Sequence, residues 1–356
     1  MSLKIGIDVG GTFTDLFVWS SNGSVDTFKT LSTPEDPSIG VMNGLRAVAD
    51  ARGTALEALA KQITTIVHGT TVTTNATLTR NGARTGLLTT AGVRDALEMR
   101  RGIREEQYNN RYLNVEPLVP RYLRRTVDGR LDYRGRELVA LDLDGVRDAI
   151  RIFCDQGIES VAICFMNAFA NTAHERAAVE LVASEMPDAF LSASTDVLPT
   201  VRFYNRVSTT VLNAYVGPVL ARYLGSLTRR LDELGFAGVL LIMQSNGGVA
   251  LPDVTVRLPA TTLLSGPAGG PRAAAAYARA HGNGDCIIVD MGGTSFDASL
   301  VRDGSAAMRT EGEIDRLRIA LPMLDITTIG AGGGSIGWID EGGLLRMGPQ
   351  SAGAAP

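Results

Sequence analysis

Apolar and polar residues alternate in LKIGIDV and again in TDLFVWS, and this period of two predicts two strands joined by a glycine turn. DTFKTLST continues as a third strand, so the chain opens as a meander rather than a strand–helix–strand crossover. The period then lengthens. Ile39, Met42, Leu45 and Val48 recur at helical spacing in DPSIGVMNGLRAVADARG, which predicts a helix ending before Gly53. LEALAKQ stays helical up to the strand ITTIVHG, and a short strand TGLLTT follows. From Arg94 to Arg136 the pattern weakens into a stretch rich in Arg, Tyr, Asn and Pro, which reads as a long inserted excursion. Helix DGVRDAIRIFCDQG, strand IESVAICFM, helix NTAHERAAVELVASEM and strand AFLSASTDV restore a regular alternation and point to an α/β class. STTVLNAYVGPVLARYLGSLTRRLDELG predicts a long helix kinked at Pro218. Strand GVLLIMQS, the turn NGG and a loop then lead into the helix-forming run of SGPAGGPRAAAAYARA.

At 356 residues the chain exceeds what one hydrophobic core organises, so two domains are expected, with a division at 205/206. A net charge of -4 gives no reason to expect a nucleic acid or an anionic membrane as partner. Lysine occurs only at Lys4, Lys29 and Lys61, none following a glycine as a Walker A lysine must, which excludes a P-loop. Cys154, Cys164 and Cys286 have no metal-ligand spacing and cannot form an even disulfide framework, so they are expected as small buried hydrophobes in a reducing cytoplasm. No run of about eighteen apolar residues suggests a membrane span, and the N-terminus reads as a strand rather than a leader. A soluble, cytoplasmic protein is expected.

The chemistry lies in a repeat. Asp8-Val-Gly-Gly-Thr-Phe-Thr-Asp15 aligns without gaps on Asp290-Met-Gly-Gly-Thr-Ser-Phe-Asp297, matching at five of eight positions, each copy between apolar strands. One copy alone reads as a glycine hairpin with a polar corner; its duplication is hard to obtain from turn chemistry. Paired glycines let backbone N–H groups approach an anion such as phosphate, and the threonine hydroxyl adds a neutral donor. An aspartate at a strand end can hold a hydrated Mg²⁺ through one or two carboxylates. Two such turns face to face would grip a polyphosphate. SGPAGG, with Gly266 and Gly269, opens a helix N-terminus and serves equally as an anion site or a plain cap. In TIGAGGGSIGWID the glycines suit close approach of an adenine or ribose better than a dinucleotide fold, because no long helix follows. His68 leaves a hydroxyl-rich strand end and serves either a structural hydrogen bond or a substrate-side role. His174 and His281 read as helix-surface residues, and no histidine pair has zinc spacing. Arg100, Arg101, Arg104 and Tyr108 in the excursion suit either a carboxylate or partner contact or a solvated loop.

The order DVGGTFTD, HGTT, MQSNGG, SGPAGG, DMGGTSFD, TIGAGGGS resembles the hydantoinase A/5-oxoprolinase family, which includes caprolactamase and the acetone and acetophenone carboxylase subunits. The resemblance covers essentially the whole chain. It implies two RNase H-like domains of the actin, Hsp70 and sugar kinase type closing on ATP. The second domain looks truncated, so nucleotide affinity is expected to be weak until something closes the cleft. Carried over, Asp8, Gly10, Gly11, Thr12, Thr14 and Asp15 would serve phosphates and Mg²⁺ from the first turn. Asp290, Gly292, Gly293 and Thr294 would do so from the second, with Gly330, Gly332, Gly333 and Gly334 near the adenosine. The resemblance implies ATP-dependent activation of a cyclic amide for ring opening, with Asp8, Asp290 and His68 as catalytic candidates and a hydantoinase B-like second subunit as partner in a hetero-oligomer. An ATP-dependent ketone carboxylase is the near alternative, an actin-fold ATPase activator or sensor the next, and a sugar kinase of the same fold would phosphorylate its substrate without hydrolysis. Thr327 stands where many relatives carry histidine and Ala355 where aspartate is common.

Overall fold

A computed structural model describes residues 2–33, 35–102, 104–292, 296–329 and 331–352. The expected meander forms from β1 (Leu3–Val9), β2 (Phe13–Ser20) and β3 (Val25–Leu31), all antiparallel. Strand alternation sorts its two faces. Ile5, Ile7, Val9, Leu16 and Val18 enter a core shared with α1 (Pro37–Ala51), whereas Lys4 and Asp8 point the other way and are exposed. Asp36 caps α1 by accepting the Ser38 N–H at 3.0 Å, Pro37 fills the first helical position, and Gly53 leaves the helix at φ +63°. The short α2 (Leu56–Ala60) leads into β4 (Ile63–Thr70), parallel to β1.

The six-stranded sheet is completed from far along the chain: strand Val239–Met243 lies parallel against β4, and Val249–Ala250 forms the edge. This sheet therefore draws on residues from both sides of the division expected at 205/206. After β4 comes α3 (Val72–Leu78), which the sequence pattern does not announce because its threonines are weak helix formers. Tertiary bonds hold it. Thr77 Oγ1 donates to Thr73 O at 2.9 Å, and the Thr73 hydroxyl meets that of Thr262 at 2.9 Å.

A second, all-parallel sheet contains β5 (Thr85–Thr90), β6 (Arg124–Val127), Ser160–Cys164 and Phe190–Ala193. β6 comes from within residues 94–136, so that stretch is not purely a loop: it returns a strand to the sheet. Its preceding part is tied down by hydrogen bonds and an ion pair. Arg316, on the hairpin Gly312–Ile314/Leu317–Ile319, donates to Tyr112 Oη at 2.6 Å and Leu113 O at 3.1 Å and pairs with Glu105 at 3.3 Å.

The helix Phe203–Glu233 joins both sheets. Val207, Val211 and Ala214 enter the core of the parallel sheet; Leu220, Leu224 and Leu227 enter that of the mixed sheet. Pro218 lies between these halves, and it cannot bond the Ala214 carbonyl. Ser160 Oγ donates to Ala214 O instead, at 2.8 Å, and the Ala83 N–H donates to Tyr215 O at 2.9 Å. The proline thus frees the Ala214 carbonyl, which anchors the helix to the strand Ser160–Cys164. Beyond it, helix Gly269–Ala280 packs on an antiparallel hairpin of Cys286–Met291 and Phe296–Arg302, to which Ile326–Ile329 adds another strand. No helix among the described residues is long and apolar enough to cross a membrane.

Candidate functional site at the duplicated turns

The described strands of the two copies pair alike. Asp8 pairs in register with Asp15 across β1/β2, and Asp15 with Lys29 across β2/β3. In the second copy Asp290 stands opposite Asp297, and Asp297 opposite Thr328. Directly opposed residues share a sheet face, so each copy lays two acids and a donor in a row. Lys29 Nζ reaches Asp15 Oδ1 at 2.7 Å, and Thr328 Oγ1 donates to Asp297 Oδ1 at 2.5 Å.

At the first turn the Gly10 N–H closes the hairpin onto Phe13 O at 3.0 Å, and Ser32 Oγ holds Gly10 O at 2.8 Å. Among the described residues the Gly11 and Thr12 N–H groups have no acceptor, and both residues are exposed. These are donors available to an anion. Gly69 stands opposite Asp8 on the β4 side, where a Cβ would lie 3.2 Å from Asp8 Oδ1. A bare backbone there leaves room for the carboxylate.

Asp8 is open to solvent on one side and enclosed on the others. Burial raises its carboxyl to about 6, the charges of Asp15 and then Asp290 add to that rise, and Lys29 opposes it. Three carboxylates against one ammonium is an environment a divalent cation would relieve. Among the described residues no group of three or more His, Cys, Asp or Glu could hold a metal ion.

The other glycine clusters gather at these turns. Thr71 Oγ1 donates to Val9 O at 3.3 Å, Ser265 Oγ to Thr70 O at 3.3 Å, and a Cβ on Gly266 would meet Thr71 Cγ2 at 3.0 Å. SGPAGG therefore docks on the exit of β4, next to the first turn. Gly269 begins its helix without a side-chain cap. The Gly333 N–H donates to Gly292 O at 2.9 Å, Gly332 N–H to Ser335 Oγ at 2.8 Å, and Gly334 O accepts from Ala352 N at 2.8 Å. The last cluster thus lies against the second turn. Gly293, Thr294 and Gly330 lie outside the described residues.

Two expected site residues face elsewhere. Thr14 pairs with Val9 and is fully buried, its hydroxyl 3.1 Å from Ser32 Oγ; strand alternation turns it away from the Asp8 side. His68 pairs with Ile7, one residue out of phase with Asp8, and is also fully buried, with Nε2 at 2.6 Å from Tyr223 Oη. Its ring therefore cannot touch a substrate in the cleft, and burial lowers it to about 4, keeping it neutral. Lys29 and Gly69 were not singled out from the sequence. The period of two placing Lys29 on the Asp15 face, in a chain with three lysines, was the available signal.

Comparison with known proteins follows the same outline. The model of the hydantoinase/oxoprolinase N-terminal region matches residues 4–186, and that of hydantoinase/oxoprolinase matches residues 206–356. Caprolactamase subunit alpha of Pseudomonas jessenii is 41 % identical over 99 % of this chain and 51 % of its own length. The acetophenone carboxylase gamma subunit of Aromatoleum aromaticum is 34 % identical over 99 % of this chain and 50 % of its own. Among solved structures, the ATP-dependent caprolactamase from Pseudomonas jessenii superposes with a TM-score of 0.89 at 39 % identity, covering 99 % of this chain and 51 % of that one. A nucleotide-free acetone carboxylase gives 0.87 at 29 % identity, with coverage of 99 % and 51 %. The chain spans about half the length of these relatives, and its mixed α/β fold matches theirs. The protein belongs to the hydantoinase/oxoprolinase family.

Proposed function

We propose that this chain is the ATP-binding part of an enzyme that activates a cyclic amide by phosphorylation for ring opening, acting with a hydantoinase B-like second subunit. The observation that carries this is the repeated pairing of two acids across a glycine-turn strand pair, Asp8 with Asp15 and Asp290 with Asp297, with the exposed Gly11 and Thr12 N–H groups beside the first pair. Their repeated strand–turn–strand units support two RNase H-like halves of the actin and sugar kinase type. ATP, when bound, supplies the phosphoryl group that turns an amide oxygen into a leaving group. The chain's own part is positioning and charge. Gly11 and Thr12 N–H groups would donate to phosphate oxygens, Asp8 and Asp290 would hold the Mg²⁺, and Lys29 fixes Asp15 beside Asp8. Gly332, Gly333 and Gly334 offer bare backbone to the nucleoside.

The names of the relatives support ATP, a cyclic amide and a multi-subunit assembly, and the carboxylases among them keep a ketone as the second reading. Phosphate release from Mg-ATP, measured on the chain with its partner subunit, separates these. Stimulation by a lactam without bicarbonate is expected. Stimulation by a ketone only with bicarbonate would make it a carboxylase, and no stimulation by either would overturn both.

A further inference from the structure

Aligned on their aspartates, the two copies of the repeat place Ile287, Val289 and Met291 where the first has Ile5, Ile7 and Val9. Their burial is opposite. Ile5, Ile7 and Val9 are 1 %, 3 % and 3 % exposed in the core they share with α1 and the long helix, whereas Ile287, Val289 and Met291 are 74 %, 62 % and 64 % exposed. Leu300, in the place of Val18, is bare on the same face, and Ile329 extends it on the next strand. Helix Gly269–Ala280 takes the other face, where a Cβ on Gly270 would lie 3.8 Å from Ile288 Cγ2. The edges differ as well. β1 lies between β2 and the parallel β4, but Cys286–Met291 has Phe296–Arg302 as its strand partner on one side and none on the other among the described residues. Where α1 follows β3 in the first copy, Ile326–Ile329 is followed by the hairpin Ser335–Ile339/Leu345–Ser351, so no helix returns to the face.

We propose that this open edge and apolar face are a docking surface for a further α/β polypeptide, which lays an apolar strand parallel along Cys286–Met291 and a helix over Ile287, Val289 and Met291. The occupant is the part of its relatives' length that this chain does not span. The first copy supplies the pattern, because β4 and α1 fill the equivalent places there. Length supplies the source: the chain covers 51 % of caprolactamase subunit alpha, which leaves a polypeptide of about equal size to bring both elements. An unpaired edge strand flanked by a contiguous apolar face is a template for association. A second copy of this chain would pair edge with edge and leave the faces bare, since its own long helices already pack in its cores. The added strand would also bring its own residue opposite Asp290, where Gly69 stands opposite Asp8, and so finish the wall beside the second turn. This surface is independent of which substrate is activated.

The test co-expresses the full chain with the part of Pseudomonas jessenii caprolactamase subunit alpha that lies outside its match to this chain. Size-exclusion chromatography with light scattering reads the complex, and hydrogen exchange reads residues 286–291. Ile287→Arg and Val289→Arg change exposed side chains, so thermal melts of the chain alone should match the native one; Leu138→Arg, exposed elsewhere, is the control. Expected are a one-to-one complex, exchange at residues 286–291 slowed at least about tenfold within it, and binding weakened at least about tenfold by each of the first two variants, because each buries an unpaired charge. Leu138→Arg should leave binding within about twofold. Absence of a complex overturns the proposal, as does a complex that Ile287→Arg and Val289→Arg leave intact. A chain that dimerises alone through Ile287 and Val289 assigns the face to a second copy and overturns it too.

Discussion

Asp8 sits among two other carboxylates with Lys29 as the balancing ammonium, and this sets a pH dependence with a definite sign. Its folded value of about 6 lies above the ordinary 3.8, so the fold favours the protonated carboxyl. That contribution is complete below about pH 4 and is lost as the pH rises through 6. Asp8→Asn is therefore expected to be more stable than the native protein at pH 8, by on the order of 1 kcal/mol after screening at its open side, with no gain at pH 4; urea unfolding at the two pH values checks this. Activity should show the opposite trend, with Mg-ATP turnover falling below pH 6 and lost by about a hundredfold or more in Asp8→Asn and Asp290→Ala. His68 behaves in reverse. Depressed to about 4 from 6.5, its stabilising effect is present above pH 6.5 and is lost as the pH falls toward 4. His68→Phe should flatten that slope while costing about 1 kcal/mol for the Tyr223 hydroxyl bond, again read from unfolding curves. The aspartates were legible because the repeat announced them. The inward turn of His68 and Thr14 was legible only in phase: each lies one residue out of step with Asp8 or Asp15, and motif matching does not record phase.

At the scale of elements, the Pro218 anchor makes the clearest prediction. Ser160→Ala leaves the Ala214 carbonyl buried without a donor and should cost about 1–2 kcal/mol. Adding Pro218→Ala restores a helix N–H at the right place, so the double variant should recover part of that loss; additive losses in a double-mutant cycle would contradict the anchor. Most strands and the long helix could be read from periodicity, because each buries one face. α3 and β6 could not. The threonines of α3 form a helix only because Thr262 and the SGPAGG loop dock on it, and the four-residue β6 is too short for a period to stand out among its flanking arginines.

For the whole molecule, the sequence showed an excursion but not what it binds. Arg100 pairs with Glu105 inside the excursion at 2.5 Å, and Arg101 with Glu311, the residue before the hairpin that carries Arg316, at 3.9 Å, so both arginines serve contacts within the chain. Arg316→Ala should quicken proteolysis within residues 100–114 and leave the global unfolding midpoint nearly unchanged, since the bonds lost tie down one surface segment. The strand order of the first sheet was equally hidden: its members come from residues 3–70 and 239–250, and no local pattern encodes that pairing.

The central claim is that both turns hold one nucleotide, and Mg-ATP titration calorimetry on the native chain, Asp8→Ala, Asp290→Ala and the double variant tests it most directly. The account predicts measurable binding that each single change weakens by about tenfold or more, with the double change costing less than the sum of the two. Native affinity retained in either single variant would contradict it.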